Sequence, residues 1–221
     1  MSFDDPNWAS LQAAYGPAKD VPALLHRLNS PSHAERSTAI TDLWGCLCHQ
    51  GTVYEASAVA APLLLDAAQR PNLSSEERTQ LLALLVHIGL GADTTWQGYT
   101  SWTVVEDCAR AVEALLPKLA ELALEGMAEA RAWTLALAAY HPNVWVALGV
   151  DADQFMALRD TGTAVLVRCA VSGTTPEPSA IATVLEENDE LRDYFEEVIS
   201  ELPRSGHARG LVLELANEGR L

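Results

Sequence analysis

Two series of residues recur along this chain at matching intervals, and that repetition restricts the fold more than any single motif does. Apolar segments carrying a proline occur as Val21-Pro22-Ala23-Leu24-Leu25, Ala61-Pro62-Leu63-Leu64-Leu65 and Leu116-Pro117-Lys118-Leu119. Each is followed by a short polar opening with an arginine: Ala34-Glu35-Arg36, Glu76-Glu77-Arg78 and Glu129-Ala130-Arg131. The prolines stand 40 and 55 positions apart and the arginines 42 and 53. The two series keep step, and both stretch at the same point. One insertion therefore separates the second unit from the third, in the Gly89 to Trp102 region.

Each unit predicts two antiparallel helices. The second helix of the first unit places Ala39, Ile40, Leu43, Trp44 and Leu47 on one face, and that of the second unit places Leu81, Leu82, Leu85 and Ile88 likewise. Such stripes cannot be buried by one helix alone, and stacking successive pairs buries them. Pairs of Ser or Thr with Glu three residues on predict capping boxes at Ser32–Glu35, Thr52–Glu55, Ser74–Glu77 and Thr103–Glu106. Pro62 and Pro117 read as bends inside first helices. Beyond Pro142 the period blurs. Leu191, Tyr194, Phe195, Val198, Ile199 and Leu202 still form a stripe, with Asn188 as its cap. Gly162–Ala170 and Gly210–Ala216 also read as helical.

The fold class that follows is all-α, an α-solenoid of stacked antiparallel helix pairs of the HEAT/armadillo kind. A single domain spans 1–221, with regular repeats over 1–140, an insertion near 89–102, and degenerate repeats and a cap over 141–221. Composition agrees: 49% of residues are hydrophobic but only 6% aromatic, and Ala and Leu dominate, which favours helix over strand.

The four cysteines, Cys46, Cys48, Cys108 and Cys169, lie in apolar runs without the spacing of a disulfide framework or zinc ribbon, so no metal or cofactor is expected. The amino terminus has neither a basic nor an apolar leader segment, and no charge-free apolar stretch reaches membrane-spanning length; a cytoplasmic location is expected. A formal charge of −16, with fourteen scattered Lys and Arg, opposes nucleic acid and anionic membranes and points to a basic protein as partner.

The paired units, with proline in the first helix and arginine early in the second, resemble HEAT repeats over about residues 8 to 140. More narrowly, Leu43-Trp44-Gly45 followed by His49-Gln50-Gly51-Thr52-Val53-Tyr54-Glu55-Ala56 is similar to a segment of bacterial HEAT-repeat proteins without an assigned activity. That resemblance implies a fold and no reaction. Some HEAT-like proteins are alkylpurine DNA glycosylases with a basic cleft; Trp102 and Glu106, one turn apart, are a faint echo of their site, which the acidic balance contradicts.

Two places attract functional attention. In the turn after Trp44, His49, Gln50 and Tyr54 would project together from one edge, with Trp44 and Glu55 as further binding candidates beside them, unless Gly51 merely ends one helix while Thr52 and Glu55 cap the next. The insertion carries Trp96, Tyr99 and Trp102, with Glu106 following, and insertions in repeat proteins commonly map to the binding face. His49, His87 and His141 recur at helix ends, too far apart in stacked units to share a metal ion. Residues 186 to 201 hold eight carboxylates against the single Arg192, read as a solvated face or a patch for a cationic partner. No nucleophile elbow or phosphate loop is present. The expected function is thus non-enzymatic protein–protein interaction, with binding or neutralisation of a basic partner as its expected form; the alternative is a small-molecule enzyme or binding protein with a pocket beside the insertion.

Overall fold

A computed structural model describes residues 7–91, 100–156 and 162–221. The chain is mostly helical and divides into two compact units, Met1–Leu115 and Leu116–Leu221. No described helix is long and apolar enough to cross a membrane.

In the first unit a single 3-10 turn, Trp8–Ser10, leads into a small antiparallel hairpin of β1 (Gln12–Ala13) and β2 (Gly16–Pro17). Helices α1 (Val21–Arg27) and α2 (His33–Leu47) follow, then a second hairpin of β3 (Cys48–His49) and β4 (Thr52–Val53). Among the described residues three more helices follow: α3 (Glu55–Ala68), α4 (Ser75–Gly89) and α5 (Trp102–Glu113). Helix α1 packs on α2 and α3 on α4; α2 also packs on α4, and α3 on α5. The stripes read from the sequence meet here, since Ala39, Ile40, Leu43, Leu47, Leu81, Leu82, Leu85 and Ile88 are all fully buried. Trp44 is only half-buried, its ring packed edge-on against His87 with centroids 5.4 Å apart.

A buried ion pair ties the starts of α2 and α4 together. Arg36 Nε donates to both oxygens of Glu77, at 2.9 and 3.1 Å, while the same arginine donates to the carbonyls of Ser30 and Pro31. Glu77 also accepts from the backbone N–H of Ser74 at 2.8 Å, and Ser74 Oγ accepts from the Glu77 N–H, closing the capping box expected there. His33 Nδ1 lies 2.9 Å from the same carboxylate. Burial works against ionisation of Glu77, but the hydrogen bonds from Ser74, Arg36 and His33, with the charge of Arg36, hold its carboxyl below the usual range.

The other three boxes form differently. Ser32 Oγ accepts from the Glu35 N–H, but the Glu35 side chain turns to Ser30 Oγ instead. Thr52 lies in β4, and the start of α3 is secured by Ser57 Oγ, which accepts from the Tyr54 N–H at 2.9 Å and donates to the Leu47 carbonyl. The cap of α5 is Ser101, accepting from the Val104 N–H, rather than Thr103. The Ser/Thr-to-Glu spacing marks a helix start to within a residue or two; which hydroxyl reaches an N–H depends on where the chain enters.

The second unit contains α6 (Leu116–Leu124), α7 (Ala128–Tyr140), α8 (Pro142–Leu148), α9 (Gly162–Val171), α10 (Pro178–Glu187), α11 (Arg192–Glu201) and α12 (Arg204–Asn217). Helix α6 packs on α7, α9 on α10, α11 on α12, and α7 on both α9 and α12. Pro62 does sit inside α3 as expected, but Pro117 is the second residue of α6. The chain breaks there into two helices rather than bending one, because an early helical position has no donor duty for proline to forfeit. Asn188 does precede the 3-10 turn Asp189–Leu191 that leads into α11, but its side chain does not cap that turn: Nδ2 donates to the Val184 carbonyl and closes α10. Phe195 is fully buried, yet Tyr194 of the same predicted stripe is 60% exposed.

Candidate functional site

The segment after α2 folds as a two-residue hairpin. Gln50 and Gly51 both have positive φ, +50° and +79°, as a type I′ turn requires, and Gln50 is the one non-glycine residue of that kind among the described residues. Gly51 therefore turns a strand back on itself; it does not end a helix. At φ +79° a β-branched side chain is strained, so Gly51→Val is expected to lower stability by about 2 kcal/mol in urea unfolding, whereas Gln50→Asn is expected to hold or raise it.

The first hairpin bridges this turn to α3. Its tip residue Tyr15, 76% exposed, places its hydroxyl 3.2 Å from His49 Nδ1 with the rings 5.2 Å apart. Its first strand donates the Gln12 N–H to Glu55 Oε2 at 2.9 Å, and the Ala14 N–H donates to the Cys46 carbonyl. One edge of the unit thus gathers Tyr15, His49, Gln50 and Glu55 from segments about 40 residues apart.

Beside Glu55 opens a cleft of about 460 Å³, lined by Leu11, Glu55, Ala58, Val59, Val104 and Asp107. Its chemistry follows from the sequence. Pro62, four residues after Ala58, has no N–H, so the Ala58 carbonyl lacks its regular helical donor. The two carboxylates, Glu55 and Asp107, are acceptors, and the other walls are the apolar Leu11, Ala58, Val59 and Val104. Among the described residues, no Lys or Arg lines the space. Arg110 reaches Asp107 from the next turn of α5, an exposed pair that contributes little. A space of this composition fits a cation on an aliphatic stem.

The nine residues expected at the site separate into distinct places. His49, Gln50 and Glu55 share the hairpin edge. Tyr54 does not project there; it is 8% exposed, its carbonyl accepting from the Cys108 thiol, because the residue entering α3 is turned inward by the Ser57 anchor. Trp44 faces His87 instead. Trp102, 60% exposed, and Glu106 share one flank of α5, whereas Val104 and Asp107 lie about 150° round the helix on the flank facing the cleft. Trp96 and Tyr99 lie outside the described residues. Sequence reasoning missed Asp107, Leu11 and Tyr15. The available signal was the turn-like Tyr15-Gly16-Pro17 following alternation at Leu11 to Ala13, too short to read as a hairpin without its partner.

The acidic stretch 186 to 201 is partly consumed by structure. Glu187 accepts the N–H groups of Gly162 and Thr163 at 3.0 and 3.1 Å, capping α9 from another helix. Arg192 pairs with Asp189, and Arg220 reaches Glu190.

The cysteines are free. Burial pushes the thiols of Cys48 and Cys108 up to about 12, and burial with Asp42 and Asp20 raises that of Cys46. A thiolate is the reactive form, so Cys48 and Cys108 are expected to stay unmodified by a disulfide reagent at neutral pH in the folded protein, and all four to react in urea. Rapid native-state labelling of Cys108 would contradict the burial described. Among the described residues no three His, Cys, Asp or Glu side chains are grouped to hold a metal ion. Comparison with family models, with curated proteins and with solved structures finds no match for this chain.

Proposed function

We propose that this protein is an interaction module of stacked helix pairs, HEAT-like in its first unit, that grips a basic partner protein by inserting one of the partner's Lys or Arg side chains into the cleft between α3 and α5. The observation that carries this reading is the cleft's composition: Glu55 and Asp107 offer carboxylate acceptors in its lining, and Leu11, Val59 and Val104 flank the space a methylene stem would occupy. The packing of α2 on α4 and α3 on α5 supports the repeat reading, since stacked units bring like helices together. The formal charge of −16 supplies long-range attraction for the same class of partner. Tyr15, His49 and Gln50, at the edge next to Glu55, extend the contact.

The test is calorimetric titration with a short Lys- and Arg-containing peptide at low and at raised salt, beside a peptide of matched length carrying Glu. Binding of the cationic peptide alone, weakening with salt, is the expected result. Equal binding of both peptides overturns the reading. If a small molecule with an ammonium group, such as 1-aminobutane, binds as tightly as the peptide, the cleft is a small-molecule site and not a protein-docking one.

A further inference from the structure

The second unit holds a cavity of about 400 Å³ between the start of α10, the end of α11 and the start of α12. Its walls combine an apolar part, including Pro176, Ile181 and Ile199, with three ionisable side chains, Glu177, Arg204 and His207. That volume lies in the range of small-molecule sites. Glu177 and Arg204 carry opposite charges and line the same space, yet they are not paired with each other, nor does either make an ion pair with another described residue. Both charges sit at helix starts that lack a side-chain cap, Glu177 before α10 and Arg204 as the first residue of α12.

His207 adds an observation of a different kind. It is only 9% exposed, and its Nε2 lies 2.9 Å from the Leu202 carbonyl. A carbonyl can only accept, so Nε2 carries the proton, and in the neutral ring Nδ1 is an acceptor. No described residue donates to it. Nδ1 is not one of the described buried atoms left without a partner, so it is open to solvent and can accept a hydrogen bond from a ligand in the space that His207 lines.

We propose that this cavity binds a small zwitterion with an apolar side chain, the chemistry of a free aliphatic amino acid. Arg204 takes the ligand's carboxylate, Glu177 and His207 Nδ1 take its ammonium group, and the side chain packs on Pro176, Ile181 and Ile199. A simple carboxylate leaves Glu177 unanswered, and a simple amine leaves Arg204 unanswered; a zwitterion answers both. This site is separate from the cleft of the first unit and stands or falls independently of it.

The test uses the whole chain and three probes: L-leucine, N-acetyl-L-leucine, which lacks the ammonium charge, and L-leucinamide, which lacks the carboxylate. Calorimetry is expected to show L-leucine binding about tenfold or more tighter than either analogue, the loss that follows removal of one charge-assisted contact. Arg204→Gln is expected to abolish the preference for leucine over leucinamide, and Glu177→Gln the preference over N-acetyl-leucine. Both side chains are exposed, so neither change threatens the fold. No binding of L-leucine at millimolar concentration, equal binding of all three probes, or a preference that survives both substitutions overturns the proposal.

Discussion

Replacing Arg36 by Ala is expected to destabilise the first unit by about 3–5 kcal/mol, the cost of leaving a buried charge without its partner. Glu77 is 1% exposed, so water cannot take over when the guanidinium is lost. The Ser74 N–H and His33 remain, but neither replaces two hydrogen bonds and a full positive charge. Glu77→Ala is expected to cost a comparable amount, because it strips the α4 capping box and strands the Arg36 side chain, itself 7% exposed. The double replacement Arg36→Met with Glu77→Met is expected to recover much of either loss, since an apolar pair of similar volume needs no charge compensation. Urea unfolding of the wild type and these three variants makes the comparison. If Arg36→Ala costs no more than an exposed ion pair does, about 1 kcal/mol, the pair is not the tie that the geometry implies.

The same carboxylate sets a pH dependence. Its folded-state pKa is depressed, so it binds protons less readily folded than unfolded. Its contribution is complete above the ordinary carboxyl value and fades as the pH falls through the folded one. In acid, the wild type is therefore expected to lose stability more steeply than the variant carrying Arg36→Met and Glu77→Met together.

Reversing both cleft charges, Glu55→Lys with Asp107→Lys, is expected to reduce affinity for a cationic peptide by at least about 100-fold. Each charge-assisted hydrogen bond contributes roughly 1.5–3 kcal/mol net, so losing two corresponds to about 10² to 10⁴ in the dissociation constant before repulsion is counted. The neutral versions, Glu55→Gln with Asp107→Asn, are expected to lie between, and the amide in place of the Glu55 carboxylate keeps an oxygen for the Gln12 N–H. Overall charge must be separated from local fit. A control with Glu186→Lys and Glu196→Lys, both exposed in the second unit, changes the net charge equally while leaving the cleft intact. A peptide held by the cleft's own carboxylates is expected to bind this control nearly as it binds the wild type, because salt of about 0.1 M screens exposed charges that the peptide does not touch. Equal losses in the two double variants would mean that bulk charge, not the cleft, attracts the peptide.

Much of the helical scaffold is legible in the sequence because its signals are local. The stripes of α2 and α4 lie within one helix each, and the Ser74–Glu77 box closes between residues three apart. Where a signal has two local solutions, the letters alone do not choose between them. Gly51 in positive φ serves a helix end or a hairpin equally well, and only pairing of Cys48 with Val53 and His49 with Thr52 selects the second. Pro117 suits a bend inside a helix or the start of a new one. The site is legible only in part: Glu55 stands out in the sequence, but its cleft neighbours Leu11 and Asp107 come from chain segments about 45 and 52 residues away.

Residue order is enough to establish that the chain is helical, where most helices begin, which faces are apolar, and that its charge favours cations. Packing in three dimensions selects which acceptors share a space and which aromatic residues stay outside it. Helix formation and capping are settled by contacts within a turn or two, so their evidence is written in neighbouring letters. A cleft is made by segments that meet only after loops have closed, and a rotation of about 100° per residue on α5 is enough to assign Asp107 to that cleft and leave Trp102 on the other flank.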